Sequence, residues 1–331
     1  MSNARSAAVQ ICGSERSARH ALCARRVALW LMRLTLAAVF SVGASSASPI
    51  PLIEARPAGI LEPEHSFSVT LPSDVVRLPG SRWAILDGIN DRVVITDDAG
   101  GGLSAWGADE LDSPLGLTRG PDGNLWIADS GNRRVASFDD AGALFSSHVI
   151  PTEDLDRAPD PVDLAIDIDG ETLLVVDNDN HTVHSLRPET GEWLKPWGSL
   201  GSALDQFNHP YSIAVGPGGE RAVVDVINSR VQSHDPEFDF TFQVGDWGVD
   251  AGDLYRPKGV AIDGAHRIWI SDSVLGVVQV FSETGVFIGV LGDGDGVRHF
   301  TTPTRLAFDE RGRLAVVEMA ANRVSLWEVG E

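Results

Sequence analysis

Residues 114–145 read PLGLTRGPDGNLWIADSGNRRVASFDDAGALF. Four apolar runs (Leu115–Leu117, Leu125–Ala128, Val135–Phe138 and Ala143–Phe145) are separated by clusters of Gly, Asp and Asn. Runs this short, punctuated by residues that favour tight turns, specify antiparallel strands in a meander. The opening proline fits the first position of a strand, where no ladder amide is needed.

The same text recurs through the chain. Six segments open with Pro72, Pro114, Pro161, Pro210, Pro257 and Pro303, and each second apolar run closes on an acid: Asp87, Asp129, Asp177, Asp225, Asp272 and Glu318. Successive acids lie 42, 48, 48, 47 and 46 residues apart, a fixed period with loop-sized variation. Such a period marks a repeat architecture, in which each unit buries its apolar faces against its neighbours. Asparagine follows the acid by three residues at Asn90, Asn132, Asn180 and Asn228, and arginine by five at Arg92, Arg134, Arg230 and Arg323. Copies five and six depart from the frame, with Leu275 and Ala321 in the asparagine position and Glu318 in place of aspartate. A fourth strand is expected to end each unit, often in Trp-Gly, as at Trp106-Gly107, Trp197-Gly198 and Trp247-Gly248.

The combined Pro, Asp, Asn and Arg-Val frame resembles the NHL repeat over residues 66–329. The resemblance implies an all-β fold, a six-bladed β-propeller of four-stranded antiparallel blades. Copy six ends at Trp327-Glu328-Val329 with no fourth strand of its own. An N-terminal strand is expected to complete that last blade, and the alternating stretch Ser66–Leu71 is the candidate.

Composition bounds what the repeat can do. The chain has 331 residues, 47 acids against 26 bases and a formal charge of -21. That balance repels a nucleic-acid backbone and an anionic membrane surface. Residues 1–47 carry six arginines and one glutamate, with an apolar run from Leu34 to Ala44 and small residues at Ser45-Ser46-Ala47. This is the pattern of a signal peptide, and the run is shorter than the roughly 20 residues of a spanning helix. Cleavage near Ala47 leaves 20 bases against 46 acids, a charge of -26. Export to the periplasm or the extracellular space follows, without membrane insertion once the leader is gone. Both cysteines, Cys12 and Cys23, lie in the leader, which excludes thiol chemistry from the remainder. Residues 48–64, with Pro49, Pro51, Pro57 and Pro63, read as an extended linker, and residues 65–331 as one domain acting as a monomer.

Candidate functional residues are few. An acid at a strand end accepts hydrogen bonds from the turn that follows, so the six repeat acids read as structural, completed by the Asn and Arg at fixed offsets. Asp177-Asn178-Asp179-Asn180 and Asp293-Gly294-Asp295-Gly296 have some likeness to calcium loops but lack the twelve-residue EF-hand spacing. No cofactor is expected; calcium is the alternative. The resemblance supplies a sharper test, because some secreted NHL propellers are peptidyl-hydroxyglycine lyases whose zinc histidines follow the blade-opening proline. Here those positions hold Ser73, Leu115, Val162, Tyr211, Lys258 and Thr304, with no histidine among them.

Innermost-strand residues line a propeller's axial funnel, a natural pocket. The candidates there are Tyr211 and Lys258, with Asp163 and Arg305 one residue further along. The loops before the prolines add His209, Tyr255, Arg256, Arg298 and His299. A binding or scaffold module, engaging a protein or small-molecule partner on this loop face, is the expected function. A metal-dependent lyase or lactone hydrolase, with its site in the channel, is the alternative.

Overall fold

The computed structural model describes residues 49–152 and 157–330. The leader read at residues 1–47 lies outside them. Regular structure among the described residues is β-strand apart from three-residue 3-10 turns. Strand β1 (Leu52–Leu61) comes first. The first repeat unit holds β2 (Asp74–Leu78), β3 (Arg82–Asp87), β4 (Arg92–Asp97) and β5 (Gly102–Trp106). The second holds β6 (Pro114–Arg119), β7 (Leu125–Asp129), β8 (Arg134–Phe138) and β9 (Leu144–Val149), which are the four runs of the opening stretch. The third holds β10 (Pro161–Ile166), β11 (Leu173–Asp177), β12 (Thr182–Arg187) and the two-residue β13 (Glu192–Trp193). The fourth is β14 (Pro210–Val215), β15 (Arg221–Asp225), β16 (Arg230–His234) and β17 (Phe240–Val244). The fifth is β18 (Pro257–Ile262), β19 (Ile268–Asp272), β20 (Val277–Phe281) and β21 (Phe287–Gly292), and β22 (Pro303–Phe308), β23 (Arg313–Glu318) and β24 (Arg323–Val329) end the chain.

Within each unit the strands pair antiparallel in sequence order. The second strands (Leu125–Asp129, Leu173–Asp177, Arg221–Asp225, Ile268–Asp272) are buried along their whole length, because a neighbouring unit covers each face. That burial explains why these runs are continuously apolar instead of alternating. Apolar cores lie between successive units. One joins Leu86 and Val93 to Leu117 and Ile127, and another joins Trp83 and Val94 of the first unit to Ala315 and Val324 of the last. First strands pack side by side in the order β2, β6, β10, β14, β18, β22, and β22 contacts β2. The all-β expectation and the four-stranded antiparallel units are therefore observed.

The closing strand is not the one expected. Ser66–Leu71 forms no strand: a 3-10 turn spans His65–Phe67, and Leu71 has a left-handed φ of 49°. Its polar groups are committed elsewhere, with Thr70 donating to Asp87 and Leu71 to Asn322, while the carbonyls of Ser66 and Ser68 accept from Arg92. The segment is the entry loop of the first unit, so its alternation is coincidental. The missing strand comes instead from the stretch read as a linker. β1 pairs antiparallel with β24 through Ala55–Leu61 and parallel with β21 through Leu52–Glu54, making one eight-stranded sheet of the last two groups. The prolines, Pro57 among them, led to the linker reading because proline weakens a strand interior, as does Gly59. They sit at a register shift, in the half of β1 paired on one side only.

Trp247-Gly248 is likewise out of phase. Aligning the fourth and fifth units on Pro210 and Pro257 puts Val244, the last residue of β17, opposite Trp197. Trp247 falls in the following loop, opposite Leu200.

Candidate functional site

The six repeat acids are buried and fully engaged. Asp129 accepts from the amide of Asp112 (2.8 Å), from Asn132 Nδ2 (2.9 Å) and from Arg134 Nε (2.7 Å). Asp225 repeats the set with Asn208, Asn228 and Arg230, and Asp87 with Thr70, Asn90 and Arg92. The acid's amide partner common to all six units is thus 17 residues upstream, on the loop entering the unit, while the following turn, where the sequence reading placed the donors, supplies backbone amides only to Asp177 and Asp272. Departures from the frame find substitutes. Asp177 lacks an arginine and takes His184 Nε2 at 3.3 Å; Asp272 lacks both partners and accepts from the turn amides of Val274 and Leu275. Burial raises the proton affinity of Asp129 and Asp225, against their donors. For Asp177 the donors outweigh burial and lower it.

A second tie runs from unit to unit. The residue four past each acid is left-handed: Asp91, Arg133, His181, Ser229, Gly276 and Asn322 have φ between 53° and 69°. Three of these side chains accept from the amide just before the next unit's proline: Asp91 from Ser113 (2.7 Å), His181 Nδ1 from His209 (3.0 Å) and Asn322 from Leu71 (2.8 Å). Those pre-proline residues are themselves left-handed, with φ of 52°, 57° and 49°. A residue before proline normally prefers extended backbone, so these bonds hold a strained connection.

The first strands bring together side chains two residues past the proline. Arg305 is 3% exposed and reaches across the ring, donating to the carbonyls of Tyr211 (3.1 Å) and Val162 (2.6 Å). Its guanidinium faces Asp163 at 3.6 Å and Asp74 at 3.7 Å and covers the Tyr211 ring at 4.6 Å. Each carboxylate also accepts two amides, one local and one from another first strand: Asp74 from Val75 and Leu117, Asp163 from Leu164 and Ile213. Lys258 Nζ sits 3.7 Å from the Tyr211 ring centroid. Burial pushes the Asp74 carboxyl up to about 7, with Asp163 adding to the rise and Arg305 opposing it. Burial, then Arg305 and Arg256, pull the Lys258 ammonium down to about 7. At Gly116 and Gly259, which share the Asp74 and Arg305 register, an added Cβ would stand 2.6 Å from the Asp163 Cα and 2.8 Å from the Arg305 Cα. The first strands are packed too closely there for any side chain.

The structure therefore unites four candidates, Tyr211, Lys258, Asp163 and Arg305, in one axial cluster. It adds Asp74, which sequence reasoning missed although it holds the same register as Asp163 and Arg305. The other candidates are separate. His209 is exposed on the loop, its ring edge-on to His181 at 4.6 Å. Tyr255 packs near Trp247 (5.8 Å between rings), and the amides of Tyr255 and Arg256 both donate to Asp272. Arg298 lies over Trp327 at 4.9 Å. Asp293 belongs to a turn closed by its own amide on the Gly296 carbonyl. No cluster of metal-ligating side chains occurs among the described residues, and no helix among them is long and apolar enough to cross a membrane.

No family model matches the chain. The protein brain tumor of Drosophila melanogaster is 29% identical over 134 residues, 40% of this chain and 12% of that protein's length. Among solved structures, the virginiamycin B lyase of Staphylococcus aureus, crystallised as an inactive variant with quinupristin, superposes with a TM-score of 0.59 at 13% identity, covering 83% of this chain and 95% of that one. The gluconolactonase of Xanthomonas campestris gives 0.54 at 16% identity, covering 88% and 99%. At such identities the likeness shows the fold alone, and that fold is a β-propeller.

Proposed function

We propose that the chain is an exported, six-bladed propeller of the NHL type. It works as a binding or scaffold module that engages its partner through the proline-side loop face. The count of six is supported by taking β22–β24 with β1 as one unit beside the five others. Export rests on the arginine-rich leader and its apolar run.

One observation carries the reading: the axial cluster is neutralised from within. Asp74 and Asp163, the carboxylates best placed for a channel metal, face the Arg305 guanidinium and accept backbone amides. A cation thus already stands where calcium or zinc would be needed, and the donor set does not fit a divalent ion. With the axis committed to holding the ring together, ligand engagement falls to the loops.

Elemental analysis of the purified protein, with melting temperature followed through a calcium and a zinc titration, tests this. The expected result is less than 0.1 metal per chain and no thermal shift. About one tightly held metal per chain, with turnover of a lactone, would overturn it in favour of the lyase or hydrolase reading.

A further inference from the structure

On the reading that the loop face engages the partner, we infer that the partner is a basic polypeptide segment, and that one of its arginine or lysine side chains stacks on Trp247. The fourth and fifth units are entered by two long loops, Gly198–His209 and Gly245–Arg256, built alike. Each is pinched by a parallel bridge, Leu200 to Phe207 and Trp247 to Leu254, and each has an amide held by an equivalent glutamine, Asp205 on Gln232 and Gly252 on Gln279. The repeated construction holds the outward bridge residue in place on both loops. Leu200 is 50% exposed and Trp247 is 73% exposed, beside Val249 at 68%. Tryptophan is among the residues most enriched at the energetic centres of contact surfaces.

Charge identifies what covers it. Residues 198–209 and 245–255 contain Asp205, Asp246, Asp250 and Asp253 and no lysine or arginine; the first cation is the half-buried Arg256 at the foot of the second loop. Asp246 and Asp250 are exposed on either side of Trp247, and the Asp253 carboxylate lies against Gly248. A cation over an indole face gains from the ring quadrupole, tryptophan being the best aromatic for it, and the surrounding carboxylates add direct attraction. An anionic membrane would meet the same carboxylates and be repelled.

The probe is a fluorescein-labelled 14-residue peptide of alternating arginine and leucine, titrated with the full chain and read by anisotropy. Binding is expected to weaken at least tenfold in Trp247→Ala and at least threefold in the Asp246→Asn, Asp250→Asn double variant. Trp247→Phe, which keeps an aromatic face, is expected to stay within threefold. Unchanged melting temperatures show that each exposed variant folds. Equal affinity of Trp247→Ala and the parent, equal binding of a glutamate-leucine peptide, no binding of either peptide, or Trp247-dependent binding to phosphatidylglycerol vesicles in place of the peptide would each overturn the inference. Each of those results leaves the module reading standing, because that reading falls on stoichiometric metal with turnover, a separate measurement.

Discussion

The amide of Leu71 donates to Oδ1 of Asn322 across 2.8 Å of space and 251 residues of chain. The bond repeats, between the first and last units, the tie that Asp91 and Ser113 make between consecutive ones. The last unit is therefore joined to the first by the chemistry that joins neighbours, with β1 added as a second fastening.

Deleting β1 should open the ring. A chain beginning at Pro63 lacks the strand that pairs with both β24 and β21 and loses the buried Ala55 and Leu61. Its melting temperature is expected to fall by more than 10 °C relative to a chain beginning at Pro49, or the domain to be lost. Equal thermal transitions would show that β1 is dispensable.

Gly116→Ala is expected to destabilise by about 2 kcal/mol, at the level of overpacked cores. The new methyl meets backbone, the Asp163 Cα and the Val162 carbonyl, which no rotamer change relieves. Gly312→Ala is the control: a Cβ there meets nothing within 4 Å, and its penalty is only that of a φ of 77°. Urea denaturation of the two variants separates crowding from backbone strain.

Arg305→Met strands two buried carboxylates and is expected to cost about 3–5 kcal/mol, the range for breaking a buried ion pair from one side. Adding Asp74→Asn should recover part of that loss, because one of the stranded charges is removed. Additive losses in the double variant would show that Asp74 and Arg305 do not interact.

Asp74 also sets a pH dependence. Its folded pKa, pushed up to about 7 by burial, exceeds the ordinary value of 3.8, so the folded chain binds the extra proton between those limits. The stability this group contributes is complete below about pH 4 and declines as pH rises towards 7. Asp74→Asn removes that slope. Subtracting the variant's stability from the parent's at intervals from pH 4 to pH 8 should give a difference that falls with pH; a flat or rising difference would refute the shift.

Asp225→Ala leaves Arg230, itself 8% exposed, without its carboxylate and the Asn208 amide without its acceptor. A loss of about 3 kcal/mol or more is expected in denaturant titrations. An effect under about 0.5 kcal/mol would remove the structural role assigned to the repeat acids.

The repeat was legible because its chemistry is local and written in every copy: proline at the strand start, acid at the second strand's end, Asn and Arg at fixed offsets. What crosses the ring was harder to see. No local pattern says that Arg305 reaches the carboxylates of Asp74 and Asp163 from the last unit, or that the strand completing that unit holds Pro57 and Gly59. Each depends on which units become neighbours. Trp247 was misread for a related reason, since loops of unequal length shift a tryptophan out of the strand register without changing the dipeptide it stands in.

The place of β1 fixes an order of events in time. Among the described strands it is synthesised before all others, whereas its partners, Phe287–Gly292 and Arg323–Val329, follow more than 200 residues later, so during synthesis it waits with neither edge paired. Contacts of such long separation form slowly, and an unpaired strand is exposed to wrong partners meanwhile. A chain delivered unfolded and released whole avoids that interval, because both ends then become available together.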